Sequence, residues 1–546
     1  MRLITLLATG AVGLGACGGG APADTAARHG PVGGESGKAL AAAQILRRGN
    51  GTEPQSLDPH RAEGVPSSNI LRDLFEGLVA EAPNGELIPG AAESWEISED
   101  GLTYSFTLRP DGRWSNGDPV TAGDFEFGLR RSADPETLSR YSSVLAPIRN
   151  ARAVIAGDMP PEALGVEALD ERTLVIRLET PTPYLLGLLT HSTCYAVHPD
   201  TVAAHGANWS RAETHVGNGA YRLKEWVVQS HIHLSRNPHY WDDASTIIDD
   251  VRYYAIENQD AELNRYRADE LDITSTIPQK QLGWIRENLA DEFRVTPYLG
   301  TYYFGFNVTK PPFAGQPGLR RAFSLAVDRD IIANVVSGAG EIAAYSWVPP
   351  VRGYQQQVPE EARWTQERRE AEARRLYAEA GYSSGNPLKV EVLYNTSDNH
   401  KRIAIALAFM WKQVLGVEAS LANQEWKVFL ETRKRKEETQ IYRAGWIGDY
   451  EDAYTFAQLL ESTNEQNDFG YDSPRYDALL AAASAEPDIA RRAEHLQEAE
   501  RLMLADQPLM PLYFYVTKRM VKPWVKGYEG NIMDHIYTRH LRILER

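Results

Sequence analysis

One stretch near the carboxyl end carries more information than any other and reads Arg443-Ala444-Gly445-Trp446-Ile447-Gly448-Asp449-Tyr450. A guanidinium stands at its start and a carboxylate near its end, with two glycines and a tryptophan between them. Glycine has no Cβ, so Gly445 allows another backbone to approach closely. Taken alone, Asp449 is compatible with an ordinary surface or helix-capping aspartate. Its meaning therefore depends on the rest of the chain.

Four further blocks precede this octapeptide. They are, in order, Ser56-Leu57-Asp58-Pro59-His60 with Glu63-Gly64-Val65-Pro66 and Arg72-Asp73-Leu74-Phe75-Glu76-Gly77-Leu78; Ala92-Glu93-Ser94-Trp95 with Asp100-Gly101-Leu102-Thr103-Tyr104-Ser105-Phe106 and Trp114-Ser115-Asn116-Gly117; Gly217-Asn218-Gly219-Ala220-Tyr221 with Arg236-Asn237-Pro238 and Tyr240-Trp241-Asp242; and Leu319-Arg320-Arg321-Ala322-Phe323 with Asp328-Arg329. Any one block is weak evidence of kinship. Five blocks in order over most of the chain are strong evidence.

Length and composition set the broad class. The chain has 546 residues, too many for one ordinary hydrophobic core, so two or three lobes are expected. Its hydrophobic content of 43% and charged content of 24% are typical of a soluble globular protein. The formal net charge of −17 disfavours nucleic-acid binding, which needs a basic face, and it also disfavours broad adsorption to anionic lipid.

The first residues are typical of an export signal. Arg2 supplies a positive charge, and Leu14-Gly15-Ala16-Cys17 ends an apolar run over residues 3–14. That run is too short for a transmembrane helix of ~20 residues. Small residues directly before a cysteine resemble the lipobox of bacterial lipoproteins, which implies acylation of Cys17; a plain signal peptide is the alternative. We predict a signal peptide over 1–16 and a flexible tether over 17–44.

Motifs for catalysis or cofactor binding are not found. Residues 13–18 satisfy G-x-G-x-x-G, but no strand precedes them and no helix follows, so they do not indicate a nucleotide site. With Cys17 assigned to the anchor, Cys194 is left alone, which excludes an intrachain disulfide and a cysteine zinc site. We expect Cys194 to be a small buried filler. There is no H-E-x-x-H and no G-x-S-x-G, so we predict no enzyme, no metal site and no cofactor.

Hydrophobic patterning indicates short strands interleaved with longer helices. Alternation is clear over residues 104–108 and in two triplets, Leu174, Ile176, Leu178 and Leu388, Val390, Val392. Helical periodicity covers residues 366–380, 400–415 and 489–505. Mixed strands and helices without strict alternation favour α/β lobes.

From about Ile45 to the end, the five blocks resemble the peptide/nickel family of ABC-transporter solute-binding proteins, extracellular solute-binding protein family 5, and within it the periplasmic oligopeptide-binding members. The resemblance implies an α/β bilobal clamp like that of periplasmic binding proteins (type II, cluster C), with an extra domain and a hinge between the lobes. It implies a discontinuous lobe I of residues 45–75, 200–299 and 517–546, an extra domain II of residues 76–199, and a lobe III of residues 300–516.

The resemblance also implies residues that meet both ends of a free peptide. Burying an unpaired charge is costly, so the site must offer an anion to the ammonium and cations to the carboxylate. The family's acid for the ammonium corresponds to Asp449, and its cations correspond to Arg433, Arg443 and His400. One extra residue between Arg433 and Arg443 leaves Arg435 as an alternative to Arg433.

The peptide backbone would pair as an added strand, which needs no particular side chain. Two segments are expected to flank it, Glu63-Gly64-Val65-Pro66 and Gly445-Trp446-Ile447. Trp426 and Trp446 would wall side-chain pockets, and Tyr141 and Tyr302 are weaker candidates for the same cavity.

This sequence departs from relatives that carry a disulfide near the ligand. Gly300 and Ile447 stand at what the resemblance gives as the two cysteine positions, so packing by Ile447 would have to replace the bond.

The function that these observations imply is capture of short oligopeptides outside the cytoplasm, by a monomer tethered to a membrane only through lipid, for delivery to the permease subunits of an ABC importer. A murein-peptide or dipeptide binder of the same family is the alternative ligand class. A secreted hydrolase and an exported chaperone are alternatives of other classes. The expected location is the periplasm or cell envelope, and no nucleic-acid partner is expected.

Overall fold

The computed structural model describes residues 39–351, 353–437, 439–486 and 488–546. The predicted signal peptide, the predicted acylation at Cys17 and the tether up to residue 38 lie outside the described residues.

Strands of the described part form three larger sheets and two small pairs. They are β1 (Ile45–Gly49), β2 (Val79–Glu81), β3 (Leu87–Pro89), β4 (Ala92–Ile97), β5 (Thr103–Leu108), β6 (Val166–Ala168), β7 (Thr173–Arg177), β8 (Tyr221–Val227), β9 (His231–Arg236), β10 (Asp250–Tyr254), β11 (Phe293–Phe306), β12 (Ile342–Ala343), β13 (Lys389–Asn395), β14 (Glu418–Gln424), β15 (Ile441–Ile447), β16 (Leu509–Met520), β17 (Val525–Lys526) and β18 (Arg542–Ile543).

The sheets divide by position along the chain. A four-stranded sheet has the order β1-β10-β9-β8, a second has the order β4-β5-β7-β6, and a six-stranded sheet has the order β12-β16-β11-β15-β13-β14. The pairs are β2-β3 and β17-β18. The predicted lobe boundaries at 299/300 and 516/517 fall inside β11 and β16, which pair with each other and shift register between Pro297 and Thr301. The lobe bounds themselves stay predictions.

Helices cover the sheets. They are α1 (Val65–Leu74), α2 (Ala122–Ala133), α3 (Ala151–Ile155), α4 (Leu185–Leu188), α5 (Pro199–His205), α6 (Gln259–Arg267), α7 (Leu282–Asn288), α8 (Pro317–Leu325), α9 (Gln366–Glu379), α10 (Asp398–Leu415), α11 (Trp426–Arg435), α12 (Tyr454–Ala457), α13 (Pro474–Ala485) and α14 (Ile489–Asp506), with a π-helix over Ile331–Ser337. In the described part of the chain, no helix is long and apolar enough to cross a membrane.

The periodicity predictions are confirmed at α9, α10 and α14, and the alternation predictions at β5, β7 and β13. Local chemistry explains one boundary well: the Ser397 hydroxyl accepts the His400 backbone N–H at the start of α10, and Gly416 ends the helix with φ of 79°. Cys194 is fully buried, as predicted.

The largest hydrophobic core joins early and final segments. It packs residues such as Leu46, Phe106 and Val251 with Val521 and Ile543. Two further cores lie on the faces of the six-stranded sheet. The carboxyl-terminal segment is therefore part of the same packed body as the first strands.

β15 is paired on its two sides to different extents. On one side its whole length, from Ile441 to Ile447, pairs antiparallel with β11. On the other side β13 pairs in parallel only with Ile441 and Tyr442. Within the described residues, no strand pairs with the second edge of β15 beyond Tyr442, and this edge is where the candidate site lies.

Candidate functional site

A cavity of about 400 Å³ lies against the second edge of β15. Its walls come from the start of α1, the segment around His191, and strands β11, β15 and β16. Most of the residues predicted from sequence line it: Glu63, Gly64, Val65, Tyr141, Trp426, Arg433, Arg443, Gly445, Trp446, Ile447 and Asp449. Tyr302 and His400 do not.

Asp449 is a nearly buried carboxylate without a cationic partner. Its side chain is 10% exposed, its backbone N–H donates to the Thr455 hydroxyl at 3.0 Å, and that hydroxyl donates back to Oδ2 at 3.4 Å. Burial raises the pKa of the Asp449 carboxyl to about 7, with the Thr455 hydrogen bond opposing the rise. No Lys or Arg of the described residues pairs with it.

His191 lies beside Asp449 but does not neutralise it. Its Nε2 is 3.6 Å from Asp449 Oδ1. Burial, together with nearby Arg72 and His535, lowers the pKa of His191 to about 3, so the ring is neutral near pH 7. The cavity therefore holds an anion that an incoming ammonium can pair with.

Arg443 is the matching cation. Its Nη2 donates to the Tyr515 hydroxyl at 2.7 Å and its Nη1 to Asn395 Oδ1 at 3.2 Å. Its guanidinium carbon lies 4.7 Å from the ring centroid of Tyr302. Its buried Nε has no hydrogen-bond partner, and no carboxylate in the described part of the chain pairs with the group. A ligand carboxylate can supply what is missing.

Arg433 lines the cavity, but a protein acid already holds it. Arg433 Nε donates to Asp468 Oδ2 at 2.6 Å, while Arg140 Nη2 donates to Asp468 Oδ1 at 3.0 Å. This bridge leaves Arg433 less available to a ligand than Arg443. Arg435 is exposed on α11 and does not line the cavity, so of the two alternatives it is Arg433 that faces it.

Tyr302 and His400 lie outside the lining of the main cavity. Adjacent residues of a strand point to opposite faces, and on β11 it is Tyr303 that lines the main cavity, while Tyr302 packs in the core beneath Arg443. His400 lines an adjoining cavity of about 240 Å³ and its Nδ1 lies 3.2 Å from the Tyr302 hydroxyl. Burial, with Arg443 and Lys518 near, lowers the pKa of His400 well below its usual value. His400 is therefore neutral near pH 7 in the unliganded protein, and its contact with a ligand carboxylate stays a prediction.

Aromatic rings wall the cavity near Asp449. Tyr141 stacks with Trp446 at a centroid distance of 6.3 Å and lies 5.0 Å from the His191 ring. The indole N–H groups of Trp426 and Trp446 are buried without a hydrogen-bond partner among the described residues. Like Arg443 Nε, these two N–H donors have no acceptor in the described part of the protein, so a ligand can supply one.

The two glycines make room for side chains of the protein. A Cβ on Gly64, where φ is +80°, would lie 2.9 Å from Trp426 Cζ2. A Cβ on Gly445 would lie 2.3 Å from the Tyr515 hydroxyl, which is the group that accepts from Arg443. Gly445 thus supports the position of Arg443 through Tyr515.

Gly300 and Ile447 are direct cross-strand partners in the β11–β15 pair. A Cβ on Gly300 would lie 2.5 Å from Ile447 Cδ1. The Ile447 side chain therefore fills the space above Gly300. This is the packing that we expected in place of the disulfide of some relatives.

Several residues of the site were not predicted. Tyr303 could have been found from strand alternation once the register was known, and Asn395 is the last residue of β13. Tyr515 and Arg72 carry no local signal, because each reaches the cavity only through the tertiary fold. The same holds for Asp468, which does not line the cavity but pairs with Arg433. The described residues hold no group of three or more His, Cys, Asp or Glu placed to bind a metal.

Comparison with known proteins identifies the class. Residues 86–468 match the bacterial extracellular solute-binding proteins, family 5 middle region. The chain therefore belongs to the family 5 extracellular solute-binding proteins. The family is defined by solute binding and not by a catalysed reaction, which agrees with the prediction that the chain is not an enzyme.

Within that family the chain is similar to the periplasmic oligopeptide-binding protein OppA of Salmonella typhimurium, with 44% identity over 515 residues, covering 93% of this chain and 94% of that protein. The solved complex of Haemophilus influenzae OppA with RPPGFSPFR superposes with a TM-score of 0.90 at 41% identity, covering 93% of this chain and 100% of that one. The predicted fold class, a mixed α/β periplasmic binding protein of cluster C, is confirmed.

One comparison distinguishes a peptide complex from an unliganded structure. The unliganded open form of MppA, a periplasmic murein tripeptide-binding protein, is 39% identical and covers 94% of this chain and 99% of that one, yet its TM-score is 0.66. The chain resembles the peptide complex more than this open form.

Proposed function

We propose that this protein captures short peptides in extended form in the periplasm and presents them to the permease subunits of an ABC importer. One observation carries the proposal: the unpaired edge of β15 lines a cavity, with Arg443 at its start and Asp449 just beyond its end. A peptide added along this edge gains main-chain hydrogen bonds that do not depend on its sequence.

The charges suit a zwitterion. Both the ammonium and the carboxylate of a free peptide lose water when the cavity encloses them, so each needs an opposite charge. Asp449 is a buried anion and Arg443 a buried cation, and neither has a partner of opposite charge within the described residues. Binding of a free peptide neutralises both at once.

The spacing supports short ligands. Six positions separate Arg443 from Asp449, which is roughly 20 Å of extended chain. The Arg443 side chain can reach over part of that length, so ligands of about three to six residues fit between the two anchors. Murein tripeptide, which also carries both charges, remains an alternative ligand and belongs in the same binding panel.

The experiment is a comparison of end-blocked ligands. Calorimetry with a tripeptide, its N-acetylated form and its C-terminal amide should give tight binding only for the free peptide. Native mass spectrometry of purified protein should show co-purifying peptides. Equal affinity for the free and acetylated peptides would contradict the proposal, and binding of murein tripeptide alone would favour the alternative.

We also propose that Cys17 is acylated and that lipid is the only membrane attachment. The proposal rests on Leu14-Gly15-Ala16-Cys17 and the polar residues after it. Intact-mass analysis of protein from the cell envelope should show a diacylglyceryl group on an N-terminal Cys17. Cys17→Ser should release the protein into the periplasmic fraction. Cleavage without added lipid mass would instead indicate a plain signal peptide.

A further inference from the structure

Arg72 is a second cation of the cavity, outside the set that the ends of a peptide require. It lies in the last turn of α1, is half-buried and lines the cavity. Its guanidinium makes no hydrogen bond and no ion pair with any residue that the structure describes. All five of its N–H donors are therefore unused by the protein.

Two acids around this part of the cavity are bonded elsewhere. Glu81 pairs with the imidazole of His535, and Asp534 pairs in a two-pronged contact with Arg519. Arg72 is near enough to lower the pKa values of Glu81 and His535, so its charge is felt there, but it donates no hydrogen bond to either. A planar guanidinium in a cavity wall is well suited to a carboxylate that arrives with the ligand.

Arg72 lies toward the end of the cavity where the ammonium would bind. His191, which is 3.6 Å from Asp449, is also one of the groups whose pKa Arg72 lowers. Arg72 makes no ion pair with Asp449 within the described residues, so its guanidinium stays available to a second acidic group of the ligand.

The other cations of the cavity already have protein acids. These pairs are Arg433 with Asp468, Lys518 with Glu341, and Arg519 with Asp534. Arg443 is left for the ligand's terminal carboxylate. Arg72 then remains as a cation without an acidic partner. A ligand side chain with a negative charge can pair with it, whereas a neutral side chain can only accept a hydrogen bond.

We propose that Arg72 binds an acidic side chain of the ligand, so that the cavity prefers peptides with Asp or Glu in the first or second position. This inference rests on the proposed peptide-binding function and names a substrate class within it. A charge-assisted contact of this kind changes affinity by about ten-fold or more.

The test is a set of isosteric tripeptide pairs measured by calorimetry: Glu-Ala-Ala against Gln-Ala-Ala, Ala-Glu-Ala against Ala-Gln-Ala, and Ala-Ala-Glu against Ala-Ala-Gln. The wild-type protein should bind the Glu member of one of the first two pairs about ten-fold more tightly than its Gln partner. The third pair should differ little. In Arg72→Gln the Glu/Gln ratio should fall to about one, while Arg72→Lys should keep part of it.

The matched control is Arg435→Gln, the same change at an exposed arginine outside the cavity, which should keep the wild-type ratio. Thermal unfolding shows that each variant is folded. Two results would overturn the inference and leave the proposed function intact. In the first, wild-type protein binds Ala-Ala-Ala but shows no preference for Glu in the first or second position. In the second, the Glu/Gln affinity ratio is unchanged in Arg72→Gln. Absence of binding to every tripeptide would overturn both.

Discussion

Tyr184 and Tyr450 stack face to face, with ring centroids 4.7 Å apart and planes only 2° from parallel. Tyr184 directly precedes α4, in the segment predicted as domain II, whereas Tyr450 directly follows Asp449 in the segment predicted as lobe III. Arg152 with Glu461 and Arg140 with Asp468 join the same two segments. The stack thus joins the segment around α4 to the residue that follows Asp449.

Removing this stack should weaken the closed form. Aromatic pairs contribute about 0.5–1.5 kcal/mol beyond their buried area, so Tyr184→Ala should raise the Kd for a tripeptide about three- to ten-fold. Small-angle scattering should show a larger radius of gyration for the variant at subsaturating peptide. The control is Tyr382→Ala, which removes a ring packed on Tyr377 inside one core and should lower stability without changing Kd. Equal loss of affinity in both variants would contradict a role in closure.

Peptide affinity should fall below neutral pH. The free carboxyl of Asp449 has a pKa of about 7 and must lose its proton to pair with an ammonium, which lowers that pKa. Binding therefore releases a proton, and Kd should rise about ten-fold per pH unit below pH 7. Above about pH 8 affinity should fall again as the peptide ammonium deprotonates. Calorimetry across this pH range in two buffers measures both Kd and proton release. A Kd that stays constant between about pH 5.5 and 7 would contradict the assignment of Asp449 as the partner of the ammonium.

Asp449→Asn should stabilise the unliganded protein at alkaline pH. The folded pKa of about 7 lies above the usual value of 3.8, so the contribution of this carboxyl to stability is fully present below pH 3.8 and is lost as the pH rises through 7. At pH 8 the ionised group costs the fold up to a few kcal/mol. The variant should melt higher than wild type at pH 8, melt equally near pH 4, and fail to bind free peptides. A lower melting temperature at pH 8 would show that Asp449 is structural.

Arg443→Met should remove the recognition of the peptide carboxylate. Losing a charged hydrogen-bond partner costs about 1.5–3 kcal/mol, so Kd for a free tripeptide should rise about 10- to 150-fold. The variant should no longer distinguish the free acid from its C-terminal amide, which a double-mutant cycle between protein and ligand quantifies. Arg435→Met provides the control, because that arginine is exposed and lies outside the cavity. A preserved preference for the free acid in Arg443→Met would place the carboxylate elsewhere.

Local patterns predicted the elements, and the resemblance predicted most of the cavity lining. The boundaries of α9 and α14 follow from helical periodicity within one residue, because each buries one face. That Tyr303 and not Tyr302 lines the cavity could not be predicted, because a sequence gives the alternation of a strand but not which face meets a cavity. The pairing of Arg433 and the charge state of His400 could not be predicted, since the first depends on Asp468 from a distant loop and the second on complete burial beside Arg443.

The contact between Gly300 and Ile447 has a consequence for how the protein matures. These two residues meet through hydrocarbon alone, and Cys194, the one cysteine in the described part, is fully buried. The segment that carries Asp449 therefore needs neither thiol oxidation nor a disulfide isomerase to reach its native form. Protein made in a reducing cytoplasm should match the exported form in affinity, and dithiothreitol should leave its melting curve unchanged.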